Sequence, residues 1–304
     1  MTAQAATIVE TGAPAVRPSR RRINWAFLGV VPFFTFALLF MVFPIGYLIA
    51  GSFKDSSNGD AFTFQNYLDL GTAQVGRAFA NSIEISLVTA IAGALIGLGL
   101  AYAVILGRLP RPFRGFLMTF SGVASNFAGI PLALAFIFTL GTLGLVTVWV
   151  DNLTGVNLVN DLNFKILSKL GLEIVYLYFQ IPLMVLIIAP AIDGLKKEWR
   201  EASENMGASS SQYWRYVALP ILTPSILGCA VLLFGNSFGA QATAYQLTSG
   251  QVPLTTLLIG AQISGDVLHN PGLGYAMAMG MIAIMAVAIL IYSVLQRRSE
   301  RWLR

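Results

Sequence analysis

Charge is scarce in this chain. Of its 304 residues only 11% are Asp, Glu, Lys or Arg, while 56% are hydrophobic and the mean hydropathy is +0.71. Water-soluble domains carry about 25% charged residues, so lipid must replace water over much of this surface. Histidine and cysteine are scarcer still, with one of each. Cys229 lies inside an apolar run; an intrachain disulfide or a redox pair is excluded, and the thiol reads as a small packing residue. His269 stands beside Asn270-Pro271 in a loop, without the companion ligands that a metal site needs. The same isolation leaves an intramembrane serine protease without its base. No Gly-Lys pair occurs anywhere, which excludes a phosphate-binding P-loop. No metal, no cofactor and no enzymatic centre are expected.

What the chain has instead is long apolar runs. Six reach the roughly 20 residues that a bilayer-spanning helix requires: 25–50, 82–106, 116–140, 172–192, 216–240 and 272–295. The expected fold is therefore all-α, a polytopic membrane bundle of six transmembrane helices in one domain over residues 24–304. The third run is interrupted at Ser125-Asn126 and Gly129-Ile130-Pro131, and non-helical backbone there must face protein or a water-filled cavity. The first run is too long for the core of a signal peptide and reads as an uncleaved anchor. Residues 1–23, rich in Ala, Thr, Pro and Arg, read as a disordered tail.

The formal charge of +5 does not point to nucleic acid, because the basic residues cluster between the apolar runs. Arg17, Arg20, Arg21 and Arg22 precede the first run, and Arg108, Arg111 and Arg114 follow the second. Lys196, Lys197, Arg200 and Arg215 lie in the fourth loop, and Arg297, Arg298, Arg301 and Arg304 at the end. Alternate loops thus hold 15 of the 19 bases, which by the positive-inside rule makes them, and both termini, cytoplasmic. The opposite side carries eight acids, among them Glu84, Glu173 and Asp266, against Lys54, Arg77, Lys165 and Lys169. Polar residues inside the runs are candidates for a translocation path or for interhelical hydrogen bonds: Asn126, Gln180, Asn236 and Gln241. Gly93-x-x-x-Gly97 and Gly235-x-x-x-Gly239 would let helix backbones approach closely. An amphipathic stretch over 145–153 either lies on the periplasmic surface or touches a partner protein.

The fourth loop, DGLKKEWREASENMGASSSQYWRYVALP over 193–220, is unlike the others. Residues 195–206 have helical composition, Gly207 suits a helix C-cap, and Ser210 or Ser211 would cap a second short helix leading into the fifth run. A helix-turn-helix finger results. Its tip, with Met206 and Ala208 among charged residues, suits contact with a protein.

This loop resembles the EAA loop of binding-protein-dependent ABC importer permeases: E-A-A, three residues, Gly, nine residues, then I-x-L-P. Here Glu201-Ala202-Ser203 is followed after three residues by Gly207, and Val217-Ala218-Leu219-Pro220 closes the pattern. Ser203 replaces the second alanine and Val217 the isoleucine; the spacing is intact. Asn81-Ser82 and Gly129-Ile130-Pro131 add weaker likeness over about residues 25–300. The resemblance implies a type I importer permease fold, in which Glu201, Ala202, Ser203, Gly207, Ala208, Leu219 and Pro220 belong to the coupling element. It also implies several partners: a cytoplasmic ABC ATPase dimer, a second permease subunit (identical or a paralogue) and a periplasmic substrate-binding protein. The likeness is closest to permeases for polyamines, iron and small organic solutes, and the acidic periplasmic side favours a polyamine-like organic cation. An ion-coupled secondary transporter is the alternative, but internal repeats and midplane ionisable residues are not seen.

Overall fold

In lipid the backbone must satisfy its own N–H and C=O groups, and a helix does so within one segment. The computed structural model describes residues 29–55, 61–107, 110–159, 161–265 and 269–300, and it is built of helices with one pair of two-residue strands. The expected tail over 1–23, the start of the first apolar run and Asp266 lie outside the described residues.

The first span runs through α1 (Val31–Ala37), a π turn (Leu38–Val42) and α2 (Phe43–Ser52). Strands β1 (Lys54–Asp55) and β2 (Ala61–Phe62) pair antiparallel, and α3 (Gln65–Asp69) follows. Then come α4 (Ala73–Leu106), α5 (Arg111–Asn126), α6 (Ile130–Leu140), α7 (Leu145–Thr154) and α8 (Lys169–Asp193). The fourth loop forms α9 (Lys197–Asn205) and α10 (Ser210–Tyr213). A second π turn (Trp214–Ala218) leads into α11 (Leu219–Phe238), then α12 (Ala242–Thr248), α13 (Thr255–Ser264) and α14 (Pro271–Glu300). Residues up to Gly46 form one compact unit and residues from Tyr47 onward another.

Six stretches are long and apolar enough to cross a membrane, as expected, and the third of them by composition alone is Ile130–Thr154. Packing instead places the third crossing in α5 and α6. Arg114, at the start of α5, grips Asp193 at the end of α8 with two hydrogen bonds of 2.9 and 2.8 Å. Farther along, Phe127 and Phe136 both meet the ring of Tyr178, and Leu140 joins the apolar cluster that holds Ile166 and Leu172 near the start of α8 and lines one cavity with Ile166 and Lys169. The α5–α6 pair therefore runs antiparallel beside the whole of α8, close to the expected 116–140, with a break where Gly129 interrupts it.

Two of the spans carry a π turn immediately before a proline. Proline has no N–H, and its ring crowds the carbonyl four residues back. Ahead of Pro44 and Pro220 the helix widens, with the Phe43 N–H reaching the Leu38 carbonyl and the Leu219 N–H the Trp214 carbonyl, five residues back.

The centre of the second unit is α4, α8 and α11. Ala90, Ala94, Ala101, Met184, Ile188, Leu222 and Leu233 make its core, and a second cluster gathers Leu132, Tyr176, Phe179 and Leu247. The Gly93–Gly97 pair brings α4 against α8. A β-carbon on Gly97 would stand 2.5 Å from the Met184 β-carbon, and one on Gly93 2.9 Å from that of Gln180. The fifth-span pair does not act alike: Gly235 faces only the flexible tip of Met285, and Gly239 meets nothing but the carbonyl of Gly235. Outward, the spans expose large apolar side chains such as Leu95 at 68% and Leu290 at 64%, a surface suited to lipid.

Candidate functional site

The fourth loop folds as a helix-turn-helix finger of α9 and α10. Helix α9 ends in a Schellman motif: the Ala208 N–H reaches the Ser203 carbonyl at 3.0 Å and the Gly207 N–H the Glu204 carbonyl at 2.9 Å. This turn needs a left-handed residue just past the C-cap, and Gly207 has φ +80°. The next helix is capped by Ser209, one residue earlier than Ser210. The Ser209 hydroxyl accepts from the Gln212 N–H at 3.3 Å, and the Gln212 side chain accepts from the Ser209 N–H at 2.7 Å. Ser209-x-x-Gln212 is a capping box, a signal present in the sequence.

Within the finger the EAA-like residues divide by exposure. Glu201 and Ala202 face outward with Gly207, whereas Ser203 is buried and its hydroxyl donates to the Arg200 carbonyl at 2.8 Å. Ala208 is half-buried, and Leu219 and Pro220 are exposed at the start of α11. Arg200 Nε donates to Glu204 at 2.9 Å, and that hydrogen bond holds the guanidinium pKa above its ordinary value. Met206 stands at the tip, 80% exposed. Behind it, Trp214 meets the Tyr102 ring of α4 edge-on at 4.9 Å, and Tyr213 is buried. A cavity of about 400 Å³ beneath the finger is lined by Tyr102, Lys197, Arg200, Glu201, Glu204 and Tyr213 among others. The finger is thus joined to α11 through the π turn and to α4 through Trp214.

A second candidate site lies at the break in the third span. Gly129 has φ +76° and ψ −150°, a conformation essentially reserved for glycine. Its N–H donates to the Thr243 hydroxyl at 2.8 Å. An open cleft of about 390 Å³ here is lined by Ser125, Gly129, Asn236, Gln241 and Thr243, with Phe179 and small residues. Of the four polar candidates, Asn236 and Gln241 line this cleft, and its described lining is uncharged. Asn126 is exposed nearby and turns its amide back to the Gly122 carbonyl at 2.8 Å. Gln180 is fully buried and donates to the Leu233 carbonyl of α11 at 2.9 Å. Its Oε1 has no partner among the described residues. Thr243 was not among the residues expected; nothing in its sequence neighbourhood marks it.

Other residues singled out from the sequence serve the fold. Ser82 accepts from the Thr255 N–H at 2.9 Å, and Asn81 donates to the Pro253 carbonyl at 3.1 Å, so this pair fastens α4 to the segment before α13. Glu84 pairs with Lys169. Tyr176 is buried and donates its hydroxyl to the Ala240 carbonyl at 2.7 Å.

Against known proteins, residues 93–304 match the family described as binding-protein-dependent transport system inner membrane component. The chain belongs to this family. It is therefore a multi-pass inner-membrane permease subunit of a binding-protein-dependent ABC importer, and the reading as an ion-coupled carrier is set aside. Among its relatives is the spermidine/putrescine transport system permease protein PotB of Haemophilus influenzae, 27% identical over 85% of this chain and 90% of that one. The trehalose transport system permease protein SugB of Mycobacterium tuberculosis is 24% identical over 92% and 95%. Among solved structures, a bacterial ABC transporter that imports the acidic polysaccharide alginate shares the fold at a TM-score of 0.70. It is 16% identical, over 90% of this chain and 96% of that one. The permease fold expected from the loop is thus the one found.

Proposed function

We propose that this permease receives the motion of a separate ABC ATPase dimer through the α9–α10 finger and passes cargo by way of the cleft at Gly129. The observation that carries the reading is the locked geometry of the finger. A displacement applied at Met206 and Gly207 cannot be absorbed by a Schellman turn, a capping box and an aromatic clasp on α4, so it is delivered to α11. Glu201, exposed on α9, would pair with a basic group of the ATPase, as the likeness of this loop implies. Coupling then amounts to the nucleotide-closed ATPase binding one arrangement of the spans better than the other.

In this reading the basic loops and both termini are cytoplasmic. A second permease, identical or paralogous, completes the path, and a periplasmic binding protein delivers the cargo. Residues 24–304 form the permease domain, preceded by the tail over 1–23. The cargo we favour is a polyamine-like organic cation. Its support is the likeness to PotB and the eight acids against four bases on the non-cytoplasmic side; Asn236 and Gln241 would meet it as amides. Calorimetry of the neighbouring binding protein with spermidine tests the cargo alone, and absence of heat would remove it.

The coupling role has its own test. Glu201→Lys and Gly207→Val, each assayed in reconstituted vesicles with the ATPase, are expected to abolish ATP-driven uptake while the protein inserts normally. Uptake at wild-type rates in both variants would refute the role.

A further inference from the structure

We infer that α7 is a surface anchor, lying in the headgroup layer of the leaflet farthest from the finger with one face in lipid. Its level is set by its neighbours. Leu140 at the end of α6 lines one cavity with Ile166 and with Lys169 at the start of α8 and joins the apolar cluster that holds Ile166 and Leu172, so the chain leaves the bundle and returns to it at one height. Between these points α7 has 10 residues, about 15 Å of helix at 1.5 Å per residue. The hydrocarbon core is about 30 Å thick. The helix cannot cross, and the chain has no need for it to do so.

Its polarity is inverted relative to a helix on a water-soluble surface. Leu145, Val148, Trp149 and Leu153, at helical positions i, i+3, i+4 and i+8, all face outward, with Leu145 72% and Trp149 61% exposed, and Asn152 is the polar residue exposed among them. Thr147 is fully buried on the protein side. Asp151 is half-buried there and accepts from the Asn157 side-chain amide at 3.0 Å. Water selects the opposite arrangement, polar side out. Lipid selects this one, and tryptophan is favoured at the membrane–water boundary. The preceding helix also turns a large apolar side chain outward, since Phe138 of α6 is 69% exposed.

A binding protein is the poorer occupant. It must depart in every cycle, and each departure would return four large apolar side chains, with no charge among them, to water. As an anchor, α7 holds the end of α6 at a fixed depth. The depth assignment does not depend on which side of the membrane is cytoplasmic or on the coupling role, so it can fail while both stand.

The test uses the full chain assembled with its partner subunits in phospholipid nanodiscs. Single cysteines replace Leu145, Trp149, Leu153 and Thr154 in a Cys229→Ala background and carry nitroxide labels. Labels at the first three positions are expected to collide with oxygen in preference to a water-soluble nickel complex, at shallow depth, and the label at Thr154 with nickel. A second readout leaves the native helix intact: the emission lost in Trp149→Phe should be quenched more by lipids brominated near the headgroup than near the chain end. Nickel access at all four sites, labels reached by neither reagent as under a protein cover, or quenching strongest at the chain ends would each overturn the assignment.

Discussion

One missing β-carbon decides how closely α4 and α8 can meet. Gly97 lies against Met184 and the Ile181 carbonyl, where an added carbon would sit 2.5 and 2.9 Å away. Gly99, two residues on and exposed, has nothing within 4 Å. Gly97→Leu should therefore force the two helices apart, with overpacking costing about 1–3 kcal/mol or more, while Gly99→Leu should stay within about 0.5 kcal/mol of wild type. Thermal unfolding of both variants in detergent makes the comparison; equal melting would mean that the close approach does not contribute. The small-residue spacing was legible here but equally legible at Gly235 and Gly239, where no helix backbone comes close and Gly235 meets only the end of the Met285 side chain. Spacing says that a helix can be approached, not that another helix arrives. Gln180 teaches the same at a polar position. Its amide had to find a partner in an apolar run, and only the packing showed that the partner is Leu233 of α11.

At the scale of elements, the third span is one crossing made in two pieces. Gly129 holds a backbone conformation that costs a residue with a β-carbon about 1–3 kcal/mol, and Thr243 satisfies the N–H exposed by the break. Gly129→Ala and Thr243→Val should each lower stability, the second by about 1–3 kcal/mol for the unpaired N–H. The double variant should lose less than the sum, because the two residues share one contact. Strict additivity in a double-mutant cycle of thermal unfolding would show that Thr243 does not hold the kink. The break itself was readable from Gly129-Ile130-Pro131, since Pro131 has no N–H to give. Its clasp was not, because Thr243 lies 114 positions away and nothing local distinguishes it. The finger was legible almost to the residue, for a contrasting reason: Gly207 and the Ser209–Gln212 box act within one turn of themselves. The cap was expected at Ser210 or Ser211 and stands at Ser209, where the Gln212 side chain can return the bond.

For the molecule as a whole, the distribution of arginine and lysine predicts orientation. Reporter fusions after Arg114 and near Trp199 should read cytoplasmic, and a fusion near Val267 periplasmic. The reverse pattern would overturn the proposed placement of the termini and, with it, the proposed side of contact between the finger and an ATPase. The bidentate Arg114–Asp193 pair closes the basic end of α5 and α8, and Glu84–Lys169 lies at the other, so ionic contacts mark both surfaces and leave the middle of the bundle to hydroxyls and amides.

Composition and local pattern were enough for the solvent, the number of crossings and the finger, because each is governed by forces acting within a few residues or by bulk transfer from water. Which helices touch, that α5 and α6 share one crossing and that Asn236 and Gln241 meet at Gly129 all required the folded chain. In lipid an apolar face has no preference between a neighbouring helix and an acyl chain, so the choice falls to shape, and shape is a property of surfaces brought together from distant parts of the sequence.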